Sequence, residues 1–199
     1  MPTTWSTVVW SLTTASESRP AWAATAMARS AGVEATAIRQ AIRNFRLDAH
    51  RIELVAEADG IRWIDDSKAT NPHAADASLA SFESVVWIVG GLLKGVDISE
   101  LVKKYRGKLT AAIVIGKDRV AVIEALAQHA AGVPVIEIFA DAGQAVMDEA
   151  VAAAASLAKN QDVVLLAPAA ASMDQFKDYA DRGNSFARAA RSLIGESRG

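Results

Sequence analysis

Four stretches of this chain are almost unbroken in apolar residues: "SVVWIVGG" at 84–91, "AAIVIG" at 111–116, "VPVIEIFA" at 133–140 and "DVVLLAPA" at 162–169. A strand with one face in water alternates apolar and polar residues, so a continuous run means a strand covered on both faces, as in a parallel sheet. The segments between these runs read as helices, around Ile98 to Tyr105, Arg119 to Ala130 and Gly143 to Lys159. A last helix is expected from about Gln175 to Ile194, where Phe176, Tyr179, Phe186, Ala190 and Leu193 recur at helical spacing and mark a buried stripe. Alternation of this kind gives an α/β fold, a mostly parallel sheet with helices on both faces and right-handed crossovers.

Upstream the pattern is different. Residues Met1 to Pro20 are rich in Ser and Thr and show no sustained period, so a poorly ordered start is expected. From Ala21 to Phe45 alanine-rich helix formers read as two helices, with Gly32 suited to close the first. In "RIELVAEADGIRWI" (51–64), Asp59-Gly60 separates two β-prone segments, a strong hairpin signal.

Composition removes several classes of function. The formal net charge is −2 and the pI about 5.9, which leaves no basic footprint for nucleic acid or an anionic membrane surface, so neither is expected as a partner. With no cysteine, disulfides, thiolate nucleophiles and Cys-based zinc sites are excluded together. No apolar run approaches the roughly 20 residues that span a bilayer, and the first residues lack the basic-then-apolar order of a signal peptide, so a cytoplasmic location is expected. His50, His73 and His129 are scattered without metal-ligand spacing; no metal site is expected and the histidines read as structural or solvated. There is neither a G-x-S-x-G elbow nor a Walker A order.

Parallel α/β sheets bind ligands at the carboxyl ends of their strands, so the loops after Ile64, Val89, Ile115 and Leu166 are where chemistry is expected. The first, "DDSKATNPHAA" (65–75), reads as a helix start with Asn71 as N-cap and Pro72 as first helical residue. The helix end is a candidate anion site, with Lys68 and the Thr70 hydroxyl beside it. Asp65 or Asp66 could accept from a sugar hydroxyl, hold a lysine in place or hold a cation; a solvated loop with a good cap is the plain alternative. The second loop, "VGGLLKGVD" (89–97), combines three glycines with Lys94, and by itself a Gly-rich turn is more often structural. In the third, "LLAPAAASMDQFKDYADRG" (165–183), Ser172 is a candidate N-cap of the last helix with Asp174 in its first turn.

Together, "DDSKATNPHAA", "VVWIVGGLLKGVD" and "LLAPAAASMDQFKDYADRGNSFA" resemble the Mur ligases, and the D-S-K-A-T-N order resembles their D-glutamate-adding branch. The resemblance covers about residues 21–199. It implies a Rossmann-like C-terminal domain at 51–199 that binds D-glutamate, preceded at 21–50 by a helical remnant of a central ATPase domain, with 1–20 atypical. It further implies an ATP- and Mg²⁺-dependent amide synthesis in peptidoglycan assembly. The L-alanyl carboxylate of UDP-N-acetylmuramoyl-L-alanine is phosphorylated and the D-glutamate amine attacks the acyl phosphate. By the same resemblance Thr70, Lys94, Ser172 and Tyr179 hold D-glutamate, Tyr179 through its backbone, while Arg51, Asp66 and Lys68 face the nucleotide.

The departures from the family pattern shape the expectation. No complete catalytic set is expected in this chain. The phosphate loop, the metal ligands and the nucleotide-sugar domain that binds UDP-N-acetylmuramoyl-L-alanine belong to family regions it does not match. Pro20 stands where the family has an adenine-contacting asparagine, and a wrongly started or truncated reading frame is expected before Ala21. Alone the chain is expected to be inactive, as part of the ligase; the alternatives are a non-catalytic D-glutamate-binding or regulatory module and a generic nucleotide-binding domain.

Overall fold

The computed structural model describes residues 15–44 and 48–196, and the chain divides into two compact units, 1–47 and 48–199. The first unit contains helices α1 (Ala15–Ser30) and α2 (Ala35–Asn44). Gly32 ends α1 at φ +83°, with Val33 N–H donating to Ala28 and Gly32 N–H to Arg29. This is the paired-bond helix stop that a residue without a Cβ favours. Residues 15–20, expected to be poorly ordered, are helical; the rest of that expected segment, residues 1–14, lies outside the described residues.

The larger unit begins at Asp48 because residues 48–50 bond into it: Asp48 pairs with Lys68, and His50 with Asp65. Its elements are β1 (Glu53–Ala58), β2 (Ile61–Asp65), α3 (Pro72–Ala80), β3 (Val85–Gly90), α4 (Ser99–Tyr105), β4 (Leu109–Ile115), α5 (Arg119–His129), β5 (Val135–Glu137), α6 (Gln144–Leu157), β6 (Val163–Leu166) and α7 (Tyr179–Glu196). The six strands lie in the order β1-β2-β6-β3-β4-β5. Among these strands β1 and β2 pair antiparallel and the other neighbours pair parallel. Asp59 and Gly60 form the hairpin corner with φ of 53° and 73°, the left-handed pair that matches the twist of the strands it joins.

Why the apolar runs are unbroken is visible in the two cores. On one face Val85, Trp87, Val89, Val163 and Leu165 pack under α3, α4 and α5. On the other, Val86, Ile88, Val164 and Leu166 pack under α6 and α7, with Trp63 against Phe186 at 6.3 Å between ring centroids. Successive residues of one strand point to opposite faces, so both registers must be apolar. Among the described residues no helix is long and apolar enough to cross a membrane.

Two expectations change in detail. The run at 133–140 supplies only a three-residue edge strand, β5. The last helix begins at Tyr179, and Ser172 is not its cap. Asp178 accepts from Asp181 N–H at 2.8 Å, and Asp181 reaches back to Lys177 N–H at 3.2 Å. These two bonds close the helix start, and residues 172–176 instead make a turn in which Gln175 and Phe176 N–H groups donate to the Ser172 carbonyl.

Fold and loops meet at Trp87, fully buried, whose indole N–H donates to the Ala167 carbonyl at 2.7 Å where β6 gives way to its loop. Replacing Trp87 by Phe leaves that carbonyl unpaired and a void beside it. The expected loss is about 1–3 kcal/mol in a urea unfolding curve.

Candidate functional site

Strand order places β2, β6 and β3 side by side, so their following loops are neighbours at one sheet edge. The loops are laced by backbone bonds. Asp66 N–H donates to Leu166, Ala169 N–H to Ala69, and Leu92 and Ala171 exchange a pair of bonds at 2.9 and 3.0 Å. Close approach needs small residues here: a Cβ on Gly91 would stand 2.3 Å from the Ala171 carbonyl oxygen.

The predicted residues take distinct places within this edge. Lys94 occupies the tip of a four-residue turn, Leu93 to Val96, closed by Val96 N–H donating to the Leu93 carbonyl at 3.1 Å. Lys94 and Gly95 both have positive φ, 56° and 77°. The lysine is exposed and makes no hydrogen bond or ion pair among the described residues. Ser172 is buried at the turn of the adjoining loop. Thr70 is half-buried, its N–H donating to Lys68. Asn71 caps α3 as expected, accepting from Ala74 N–H at 2.9 Å, while Ala75 N–H takes the Asn71 carbonyl. With Pro72 lacking an N–H, the first turn keeps only the His73 N–H for an anion.

Tyr179 stands over the same edge. Its ring lies 5.8 Å from the Lys68 ammonium and 6.2 Å from the His50 ring, and its carbonyl accepts from Ser67 Oγ at 2.7 Å. Lys68 pairs with Asp48 at 2.8 Å, and Arg51 approaches the same carboxylate at 3.8 Å. The Lys68 hydrogen bond and charge hold the Asp48 carboxyl below its ordinary value. So among the described residues neither Asp65 nor Asp66 pairs with a lysine. Asp66, expected to face the nucleotide, is turned into the domain, accepting from Ser78 Oγ and from Ile52 N–H. Burial pushes its carboxyl above the ordinary value, and those two bonds pull it back.

Sequence reasoning gave no role to the group that joins the loops. Arg182 is wholly buried. Its Nε donates to Ser67 Oγ at 2.9 Å, one terminal nitrogen to the Ser67 carbonyl at 2.9 Å, and the other to the Ala170 carbonyl at 3.1 Å. Burial lowers its pKa from the ordinary guanidinium range to about 10, with Asp174 and Asp65 opposing that fall. Beside it His50 Nδ1 and Asp65 Oδ2 are 2.7 Å apart. Gly183 is required over this pair, since a Cβ there would stand 2.3 Å from His50 Nδ1. His50, Glu53 and Asp65 form a group with metal-ligand spacing, yet His50 Nδ1 already faces Asp65 and the His50 backbone N–H donates to Glu53 at 3.0 Å. The trio therefore closes on itself. A cleft of about 600 Å³ lies beside the Lys94 turn, lined by Leu93, Val96, Asp118, Val120 and Glu124 among others, and none of Thr70, Lys94 and Ser172 lines it.

The family model described as Mur ligase, glutamate ligase domain, matches residues 50–170. The chain is similar to the UDP-N-acetylmuramoylalanine--D-glutamate ligases of Leifsonia xyli subsp. xyli, 56% identical over 173 residues, and Thermobifida fusca, 53% over 175 residues. These alignments cover 87% and 88% of this chain but 34% and 37% of the relatives, so it spans about a third of their length. Among solved structures, UDP-N-acetylmuramate-alanine ligase MurC from Thermotoga maritima superposes with a TM-score of 0.57 at 16% identity, covering 87% of this chain and 37% of that one, a likeness of fold.

The buried Asp66 carries a pH signature. A carboxyl whose pKa is raised on folding costs stability above that pKa, and the cost is relieved as pH falls toward the unfolded value of 3.8. Asp66→Asn keeps both bonds, its oxygen accepting from Ile52 N–H and its amide donating to Ser78 Oγ. From pH 7 to pH 4 the wild-type melting temperature should therefore rise relative to that of Asp66→Asn; parallel profiles would contradict the assignment.

Proposed function

Because the chain belongs to the Mur ligase family, at its glutamate ligase domain, we propose that it presents D-glutamate for ATP-driven addition to UDP-N-acetylmuramoyl-L-alanine. The reading is carried by the juxtaposition of three loops at one sheet edge, laced through Ala69–Ala169 and Leu92–Ala171. A dianionic amino acid needs cations and hydroxyls converging from different directions, and strand-end loops supply them.

In this reading Lys94 takes one carboxylate of D-glutamate, with Thr70 and Ser172 donating hydroxyls and the first turn of α7 at Tyr179 closing the far side. The Tyr179 carbonyl is engaged by Ser67, so its contribution comes from the N–H side of that turn. Arg51 and Lys68 fit a polyphosphate: both share Asp48, which is exposed, and an incoming phosphate can replace that carboxylate. Asp66 supports that region from beneath, through Ile52 N–H and Ser78. ATP with Mg²⁺, when bound, supplies the phosphoryl group that converts the alanyl carboxylate to an acyl phosphate. This chain's part is to hold the D-glutamate amine in line with that carbonyl. Pre-paid orientation of this kind is worth several powers of ten in rate.

Calorimetric titration of the chain with D-glutamate and with L-glutamate tests the reading. Binding is expected for the D enantiomer, with Lys94→Ala weakening it by about tenfold or more, the worth of one charge-assisted bond. Equal binding of both enantiomers, or an affinity indifferent to Lys94, removes the assignment. No ATP hydrolysis by the chain alone is expected, and steady turnover by pure protein would refute that.

A further inference from the structure

Asp118 stands at the start of α5, where an aspartate ordinarily accepts from the helix's own first N–H groups. Its side chain makes no such bond. Instead Asp118 Oδ2 accepts from Leu93 N–H at 2.7 Å, and its own N–H donates to the Gly91 carbonyl at 3.2 Å. The two bonds bracket Leu92 and end on Leu93, the first residue of the turn that carries Lys94. A residue that leaves its helix uncapped to brace a neighbouring loop breaks a local rule, and such breaks concentrate at functional positions.

The bracing extends to the third loop through the same short segment. Gly116 crosses Gly91 so tightly that a Cβ would stand 2.2 Å from the Gly91 backbone. Lys117 N–H donates to Asp174 Oδ2 at 2.8 Å, two residues beyond Ser172. Residues 116–118 therefore fix the Lys94 turn on one side and the Ser172 turn on the other. The Lys94 turn needs such support, because Lys94 has φ +56° and a lysine does not hold the left-handed region by itself.

We propose that Asp118 is a positioning residue for Lys94: its carboxylate holds Leu93 so that the strained turn keeps the ammonium aimed at the ligand. The expected effect on ligand rests on the D-glutamate reading above; the effect on the turn does not. The test uses this chain with Asp118→Ala, Asp118→Asn and Asp118→Ser. Asparagine retains an oxygen for Leu93 N–H, whereas serine suits the start of α5 but is too short to reach Leu93. Amide hydrogen exchange by NMR should quicken at Leu93 and Val96 in the Ala and Ser variants and recover in Asn. The Ser variant should show this without a lower melting temperature. The dissociation constant for D-glutamate should rise about tenfold in Ala and Ser, and Asp118→Ser should add nothing in a Lys94→Ala background, because coupled residues are non-additive. Unchanged exchange at Leu93 and Val96 overturns the proposal, as does a full further loss of affinity in the Lys94→Ala background. If the wild-type chain binds no D-glutamate, the functional reading fails, and the exchange experiment still decides whether Asp118 sets the turn.

Discussion

The carboxyl edge of this sheet is assembled around a buried guanidinium. Arg182 makes three hydrogen bonds, to Ser67 Oγ, the Ser67 carbonyl and the Ala170 carbonyl, and no carboxylate pairs with it directly among the described residues. Burying a cation is costly unless its donors are satisfied. The planar fork does this by gripping two loops at once, which a lysine could not do from one point. The loops after β2 and β6 are thus joined by a group whose own desolvation cost requires them to stay joined. Asp174 and Asp65 lie near enough to offset part of that cost through their charge.

What the sequence made legible follows from how strongly each pattern is tied to geometry. A doubly covered strand leaves no freedom for polar residues, so the runs at Val85–Gly90 and Val163–Leu166 are readable as buried parallel strands. Asp59-Gly60 and Gly32 are readable because few residues tolerate positive φ. The start of α7 falls later than the sequence suggests because a serine-led turn, Ser172 to Phe176, and an aspartate-led one, Lys177 to Asp181, follow each other directly. The bonds from Asp181 N–H to Asp178 and from Lys177 N–H to Asp181 distinguish the helix start from the turn at Ser172.

The site divides along the same line. Side chains in the three loops after β2, β3 and β6 could be nominated because strand ends are where ligands bind, and the strand order brings those loops together. What each side chain touches was not legible. Asp66 and Asp65 look interchangeable in "DDSK", yet alternation sends one toward Ser78 and the other toward His50. Arg182 and Asp118 sit in ordinary helical surroundings and act on residues twelve or more positions away in sequence, so no local pattern marks them.

The two lysines at this edge illustrate how backbone and electrostatics divide the work. Lys68 is already answered by Asp48 and lies near the Tyr179 ring, so an anion arriving there must displace a carboxylate. Lys94 has no such partner among the described residues and is carried on a turn of unfavourable conformation. Relaxing Lys94 to ordinary backbone angles would gain about 1–2 kcal/mol locally, but it would break the closing bond from Val96 and pull Leu93 from Asp118. The lattice of bonds around residues 91, 116 and 171 opposes that relaxation. A flexible cation must lose its freedom when a ligand binds, and one held in place beforehand loses less. The strain at Lys94 and the small residues packed beneath it are, on this argument, two parts of the same arrangement.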